Sequence, residues 1–226
     1  ALEDINQLAT KAAKEAVKLG VRDPQEAERV ARLGVSISEW LFNQAKPLEE
    51  PLAADRLAFS KAVYGNTCRI LSDFQGARDA FRSAESLLDT GTGDPTSKAQ
   101  VLQLKSSFQA DTGQIEGAIE SIDSAIRAFR FMDEPHFVCK ALITKGTLMG
   151  PYADPEQSAS ILRNGLELID EDLDPRLALV AKHNLIHSLF ESGNKQEALN
   201  TLNEIRSSHI ELDNPVDLIR FRWLEG

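Results

Sequence analysis

Apolar and small residues recur along this chain at helical spacing, and no segment alternates with period two over a useful length. β-branched runs are absent too, so the pattern predicts helices throughout and strand content close to nil. The same pattern returns at a fixed interval. Ala77, Ala118, Ser158 and Ala198 stand 40 or 41 residues apart. Four residues after each comes a large apolar side chain, Phe81, Ile122, Leu162 or Leu202, and three further on stands Ala84, Ala125, Gly165 or the larger Ile205. A second series of small positions runs Gly65, Ser106, Gly146, then Ile186 as an exception, then Gly226. Small residues at fixed places on facing helices let two backbones approach, and the large residue between them fills the gap. The pattern therefore predicts helices in pairs.

The proline positions keep the same beat. Pro95, Pro135, Pro175 and Pro215 lie 40 residues apart and follow Asp94, Glu134, Asp174 and Asn214. Proline suits the first helical turn, while the acidic or amide residue before it is pushed out of the α region and can cap. Turn signals fall between the helices of each pair: SDF at 72–74, TGQ at 112–114, ADP at 153–155 and SGN at 192–194. A period of this size points to a solenoid of helical hairpins. The first 45 residues read as one more pair, a helix over Leu2–Leu19 and a second starting at Asp23-Pro24 with Ala27, Ala31 and Gly34 at its small positions. The segment KPLEEP at 46–51 is expected to be a longer connection than any later one, with a slight change of superhelical direction. The expectation is about ten helices.

Two stretches, DTGQIEGAIESIDSAI and HNLIHSLFESGNKQEAL, resemble the tetratricopeptide repeat, whose signature is a Leu-Gly pair and an aromatic in helix A, then Ala, an aromatic and Ala in helix B. The resemblance covers about 53–226 and is looser in the A helices, where Lys105 and Lys145 replace the usual leucine. With a period of 40 against the family's usual length of about 34 residues, the chain looks like a long-repeat variant. The closing string DLIRFRWLEG is similar to such arrays in bacterial regulatory and scaffold proteins. The resemblance implies an all-α fold, a right-handed superhelix of antiparallel helix hairpins. It also implies one repeat domain over 1–226, with units at about 1–45, 53–92, 94–132, 134–172 and 174–212 and a partial unit 214–226. Because Gly226 falls at a helix-A position, the natural protein is expected to continue beyond it, and a start at Ala1 without methionine is expected of either an excised piece of something longer or a processed chain. The uncovered last hairpin is expected to drive self-association.

In this family the A helices line the concave face. Carried over residue by residue, the groove positions are Phe59, Val63, Asn66 and Arg69, then Gln103, Leu104 and Ser107, then Lys140, Ile143, Thr144 and Thr147. The fourth unit gives Val180, His183, Asn184, His187 and Phe190, and the last gives Arg220 and Trp223. Amides, hydroxyls and a few cations of this kind can hold a peptide backbone. Asn66, Lys140 and Asn184 echo in part the set with which some relatives grip a terminal carboxylate, but the full set is absent, which argues against a chaperone-tail clamp. The reading is an interaction module, a scaffold or adaptor holding a peptide or partner helix. The alternative is a peptide- or ligand-sensing regulatory domain of a larger signalling or transcription protein.

Composition narrows the rest. The net charge is -10, which argues against a duplex-binding face. No apolar run approaches the roughly 18 to 20 residues that cross a bilayer. Cys68 and Cys139 are far apart and in no CxxC pair; as buried thiols they fit a reducing, cytoplasmic setting, with an inter-repeat disulfide as the minority reading. His183 and His187 share a helix face, but HNLIH lacks the glutamate of HExxH. GTGDPTSK at 91–98 lacks the GK[ST] ending and a preceding strand, and so reads as a flexible connection. DEDLD at 170–174 lacks the glycine and terminal glutamate of a calcium loop. No nucleophile string and no paired carboxylates stand out. The expectation is no enzyme, no cofactor and no metal.

Overall fold

The structure, a computed structural model, describes residues 2–20, 22–150, 154–171 and 174–212, together with 219 and 222. Among the described residues there are ten α-helices and no strand. They run α1 (Leu2–Leu19), α2 (Pro24–Gln44), α3 (Glu50–Ile70), α4 (Phe74–Leu88), α5 (Pro95–Asp111), α6 (Ile115–Phe131), α7 (Pro135–Met149), α8 (Pro155–Leu166), α9 (Pro175–Glu191) and α10 (Lys195–Leu212). The fold is all-α.

Five of these helices open on proline, and in four the preceding aspartate caps. Asp23 accepts from the Glu26 N–H at 3.0 Å, Asp154 from the Glu156 N–H at 3.0 Å and Asp174 from the Leu177 N–H at 3.1 Å. Asp94 takes two, from Thr96 at 3.2 Å and Ser97 at 2.9 Å. Glu134 occupies the same place before α7 but makes no side-chain cap bond. The Asn214-Pro215 start lies outside the described residues.

Three of the tight turns inside hairpins share one geometry. Ser72, Gly113 and Gly193 have φ of 62°, 79° and 84°. Right after each, the next N–H reaches back five residues to a helix carbonyl: Asp73 to Cys68, Gln114 to Gln109 and Asn194 to Leu189, each at 2.8 Å. This is the left-handed helix ending that closes unpaired carbonyls. Turns of three residues leave the next helix no course but antiparallel. The connection after α2, residues 45–49, is shorter than residues 89–94 after α4 and 167–174 after α8, contrary to the expectation from KPLEEP. Pro51 sits in the first turn of α3, where proline is tolerated, so it opens that helix and does not lengthen the loop.

The chain divides into two compact units, Ala1–Ala128 and Phe129–Gly226, with the boundary inside α6. In the first unit α1 packs on α2, α2 on α3, α3 on α4 and α4 on α5, while α1, α3 and α5 also pack side by side. In the second, α7 packs on α8, α8 on α9 and α9 on α10, and α7 touches α9. Within each unit, the first helix of a pair thus packs beside the first helix of the next.

The small-to-large register predicted from the sequence sets these contacts. A Cβ on Gly65 of α3 would lie 3.2 Å from Ala80 and Phe81 of α4, and one on Gly146 of α7 would lie 2.5 Å from Leu162 of α8. Ala77, Phe81 and Ala84 are buried with Val101 and Phe108 in the first unit, and Phe81 meets Phe108 at 5.5 Å between ring centres. Leu162, Leu185, Ile186, Leu189, Leu202 and Ile205 form the core of the second. Burying a side chain of this kind is worth about 1.5–3 kcal/mol. Ser158 replaces the usual alanine and stays at 0% exposure because its hydroxyl donates to the Gly146 carbonyl and meets Ser188 Oγ, both at 2.8 Å. Cys68 and Cys139 are free, buried thiols in separate cores. Burial pushes the Cys139 thiol up to about 11.

Candidate functional site

In the first unit, the predicted groove residues lie on α3 and α5. Arg69 donates from Nε to Asn66 Oδ1 at 3.0 Å on its own helix and from Nη1 to Asp111 Oδ2 of α5 at 2.6 Å. Gln103 and Ser107 lie half-buried on α5. In the second unit α7 and α9 make a similar polar edge. Lys140 stands 3.7 Å from Asp174 at the α9 cap, and Asn184 donates to Thr147 Oγ1 at 2.8 Å. Thr144 donates to the Lys140 carbonyl at 2.9 Å. His183 is half-buried on α9, and His187 Nδ1 lies 3.5 Å from Glu191.

Among these candidates Asn66 meets Arg69, Thr144 meets the Lys140 carbonyl and Asn184 meets Thr147, while Arg69, Lys140 and His187 also reach Asp111, Asp174 and Glu191, which were not candidates. Asn66, Arg69, Lys140 and Asn184 already have protein partners, so a peptide must exchange for those bonds. Two apolar positions assigned to the groove face the other way. Val63 is 1% exposed in a core with Ala13, Ala16 and Ala31, and Ile143 is 4% exposed against Gly165 of α8. The helix turns them onto the partner helices, where their apolar surface leaves water. Phe190 is open, at 62% exposure, with Lys195 Nζ 5.9 Å from its ring centre. Arg220 and Trp223 lie outside the described residues. Among the described residues no cluster of three or more metal-ligating side chains occurs, and no helix is long and apolar enough to cross a membrane.

The first unit also holds a cleft of about 140 Å³ that the sequence did not announce. Thr10 of α1, Ser38 and Leu41 of α2, and Ser97 and Gln100 of α5 contribute to its walls. From α3 come Leu52, Asp55, Arg56 and Phe59, of which only Phe59 was a groove candidate. Ser60, also on the wall, meets Ser38 at 2.8 Å. Asp55 is 5% exposed, and its Oδ2 accepts from the Thr92 N–H at 3.2 Å and from the Thr92 hydroxyl. That pair fastens the connection between α4 and α5 to α3. The glycine-rich stretch read as a flexible connection is therefore tied down, because a buried carboxylate needs its donors. Arg56 is exposed and donates to Asn6 Oδ1 at 2.7 Å. A signal was available: Asp55-Arg56 interrupts the otherwise apolar run from Leu52 to Leu57.

Nearby on the α2–α3 face, Arg32 donates to the Tyr64 hydroxyl at 3.2 Å and lies 5.3 Å from its ring centre. Burial pushes the Tyr64 hydroxyl up to about 12, so it stays protonated in neutral solution.

No family model matches the chain, and no curated protein matches it. Among solved structures it is similar to the crystal structure of BtubC (BKLC) from P. vanneervenii, with a TM-score of 0.67 over 94% of this chain and 92% of that one. Identity is 16%, so the likeness is one of fold.

Proposed function

We propose that this chain is a tetratricopeptide-like interaction module, a scaffold or adaptor that holds a peptide or partner helix on the A-helix layer of its units. The observation that carries the reading is the polar edge shared by neighbouring first helices: Asn66, Arg69, Gln103 and Ser107 in one unit, and Lys140, Thr144, Asn184 and His187 in the other. Such side chains offer both donors and acceptors to an extended backbone, and exchanging one polar partner for another costs little net free energy. The layered packing and the 40-residue beat support a solenoid course of hairpins within each unit. The acidic balance favours a protein or peptide partner over nucleic acid. Free buried thiols favour a cytoplasmic setting.

The test is selection from a displayed peptide library against the immobilised chain, repeated with Asn66→Ala and Asn184→Ala singly and together. Enriched peptides should lose roughly tenfold in affinity for the variant of the unit they occupy, the loss of one to two hydrogen bonds. Peptides that bind all three variants as tightly as the parent would place recognition elsewhere and end this reading.

A further inference from the structure

We propose that the outward face of α2 is a homodimer surface, on which a second copy of this chain lays its own α2 antiparallel across a two-fold axis near Ser36. The surface belongs to a second helix of the first unit, so the proposal is independent of the peptide reading on the first helices.

α2 turns Ala27, Ala31, Gly34, Ser38 and Leu41 into the protein. On its opposite face Leu33, Ser36, Ile37, Trp40 and Gln44 follow one another at helical spacing. Ile37 is half-buried, the others are exposed, and none is charged. The solvent face of a surface helix normally carries charge. α1 does so, with Lys11, Lys14, Glu15 and Lys18 turned outward. The α2 stripe breaks that rule with large side chains, since Leu33 is 56% exposed and Trp40 47%. Trp40 has no hydrogen-bond or ring partner among the described residues. A charge-free centre holding an aromatic anchor, with charges at its ends, is the make-up of a protein interface.

The order of residues along the stripe says which partner fits. Leu33 and Trp40 lie equally far from the midpoint between Ser36 and Ile37. A two-fold axis through that midpoint sets Leu33 opposite Trp40 of the second copy, and Trp40 opposite its Leu33. Small Ser36 at the centre lets the two helices approach closely. The same axis brings Glu26, at one end of the face, beside Lys46 of the second copy, and Arg29 beside its Gln44. Lys46 has no ion-pair partner among the described residues, so it is free to meet that carboxylate. A parallel pairing would set Glu26 against Glu26 and Lys46 against Lys46. Charge therefore selects the antiparallel arrangement, and the complement that the stripe needs is the stripe itself. One helix face buries less than the roughly 1,200–2,000 Å² of a tight complex, which makes the dimer weak, with a Kd on the order of 0.1 mM.

The test is sedimentation velocity of the full chain at neutral pH, from about 0.01 to about 0.5 mM in roughly 0.15 M salt, which screens the repulsion between acidic copies. A concentration-dependent shift from monomer to dimer is expected, weakened about tenfold or more by Trp40→Ala and by Leu33→Asp. Both changes fall on exposed side chains, so helical circular dichroism should keep the parent signal. Cysteine crosslinking reads the orientation, because Cys68 and Cys139 are buried and leave a low background. Ser36→Cys should form a covalent dimer under mild air oxidation, since it lies beside its own copy at the axis. Gln44→Cys should not, since its neighbour is Arg29. A monomer throughout the range overturns the proposal and leaves the stripe to some other partner. A dimer unchanged in Trp40→Ala and Leu33→Asp overturns it as well, and crosslinking at both cysteine positions overturns the antiparallel arrangement.

Discussion

Ser72, Gly113 and Gly193 stand at the same place in three hairpin turns and share a left-handed backbone, but only two of them are glycine. For a residue with a Cβ that conformation costs about 1–2 kcal/mol, whereas glycine enters it freely and gives up some chain entropy instead. Open space surrounds the positions where a Cβ on Gly113 or Gly193 would lie, so no steric clash confuses the comparison. Ser72→Gly should therefore stabilise the protein by about 0.5–1 kcal/mol, and Gly113→Ala should destabilise it by about 1 kcal/mol. Urea unfolding followed by circular dichroism reads both; midpoints that move together, or not at all, would contradict the shared geometry. These turns were legible in the sequence because SDF, TGQ and SGN are local signals. The inward aim of Val63 and Ile143 was not, because it depends on which neighbouring helix covers each side, and a family position number does not carry that.

At the scale of elements, helix starts were written in the chain by Asp-Pro pairs, and the pairing of helices by the 40-residue alternation of small and large residues. The fastening of α5 was not legible. It depends on Asp55 meeting Thr92 across 37 residues of chain, and periodicity says nothing about a contact of that range. The connection allows no side chain at its second fixed point: a Cβ on Gly91 would sit 1.9 Å from Asp55 Oδ1 and 2.9 Å from its Cγ. Gly91→Ala must push either the loop or the carboxylate aside and strip Asp55 of its donors. The expected cost is about 1–3 kcal/mol, the penalty for an unsatisfied buried polar group. Hydrogen exchange locates the effect. The amides of Thr92, Thr96 and Ser97 should exchange faster in the variant, while those of α9 keep the parent rate. Unchanged exchange at Thr92 would show that the loop is held by something other than Asp55.

For the molecule as a whole, sequence periodicity runs through the boundary at Ala128 without a mark, since Ala118, Ile122 and Ala125 keep the same register as their counterparts on either side. The division into two units was hidden for that reason, while the overall charge was plain. At -10, with a pI near 5.0, copies repel one another at neutral pH, and that repulsion vanishes as the solution approaches pH 5. Loss of repulsion and loss of fold need not coincide, and Asp94 separates them. Burial alone would raise its carboxyl, but hydrogen bonds from Ser97 and Thr96 outweigh that and hold it below the ordinary value. A depressed folded pKa means that the cap contributes its full stability above the unfolded value of about 3.9 and loses it as pH falls through the lower folded value. The cap is thus intact at pH 5. Light scattering should pass through a maximum near pH 5 while helical circular dichroism stays at its neutral-pH level, and helicity should fall only when the solution is taken below about pH 4. In Asp94→Ala this last fall should begin from a lower stability, by about 1 kcal/mol, and respond less to acid. Helicity that drops together with the rise in scattering would mean that unfolding, and not neutralised charge, drives association.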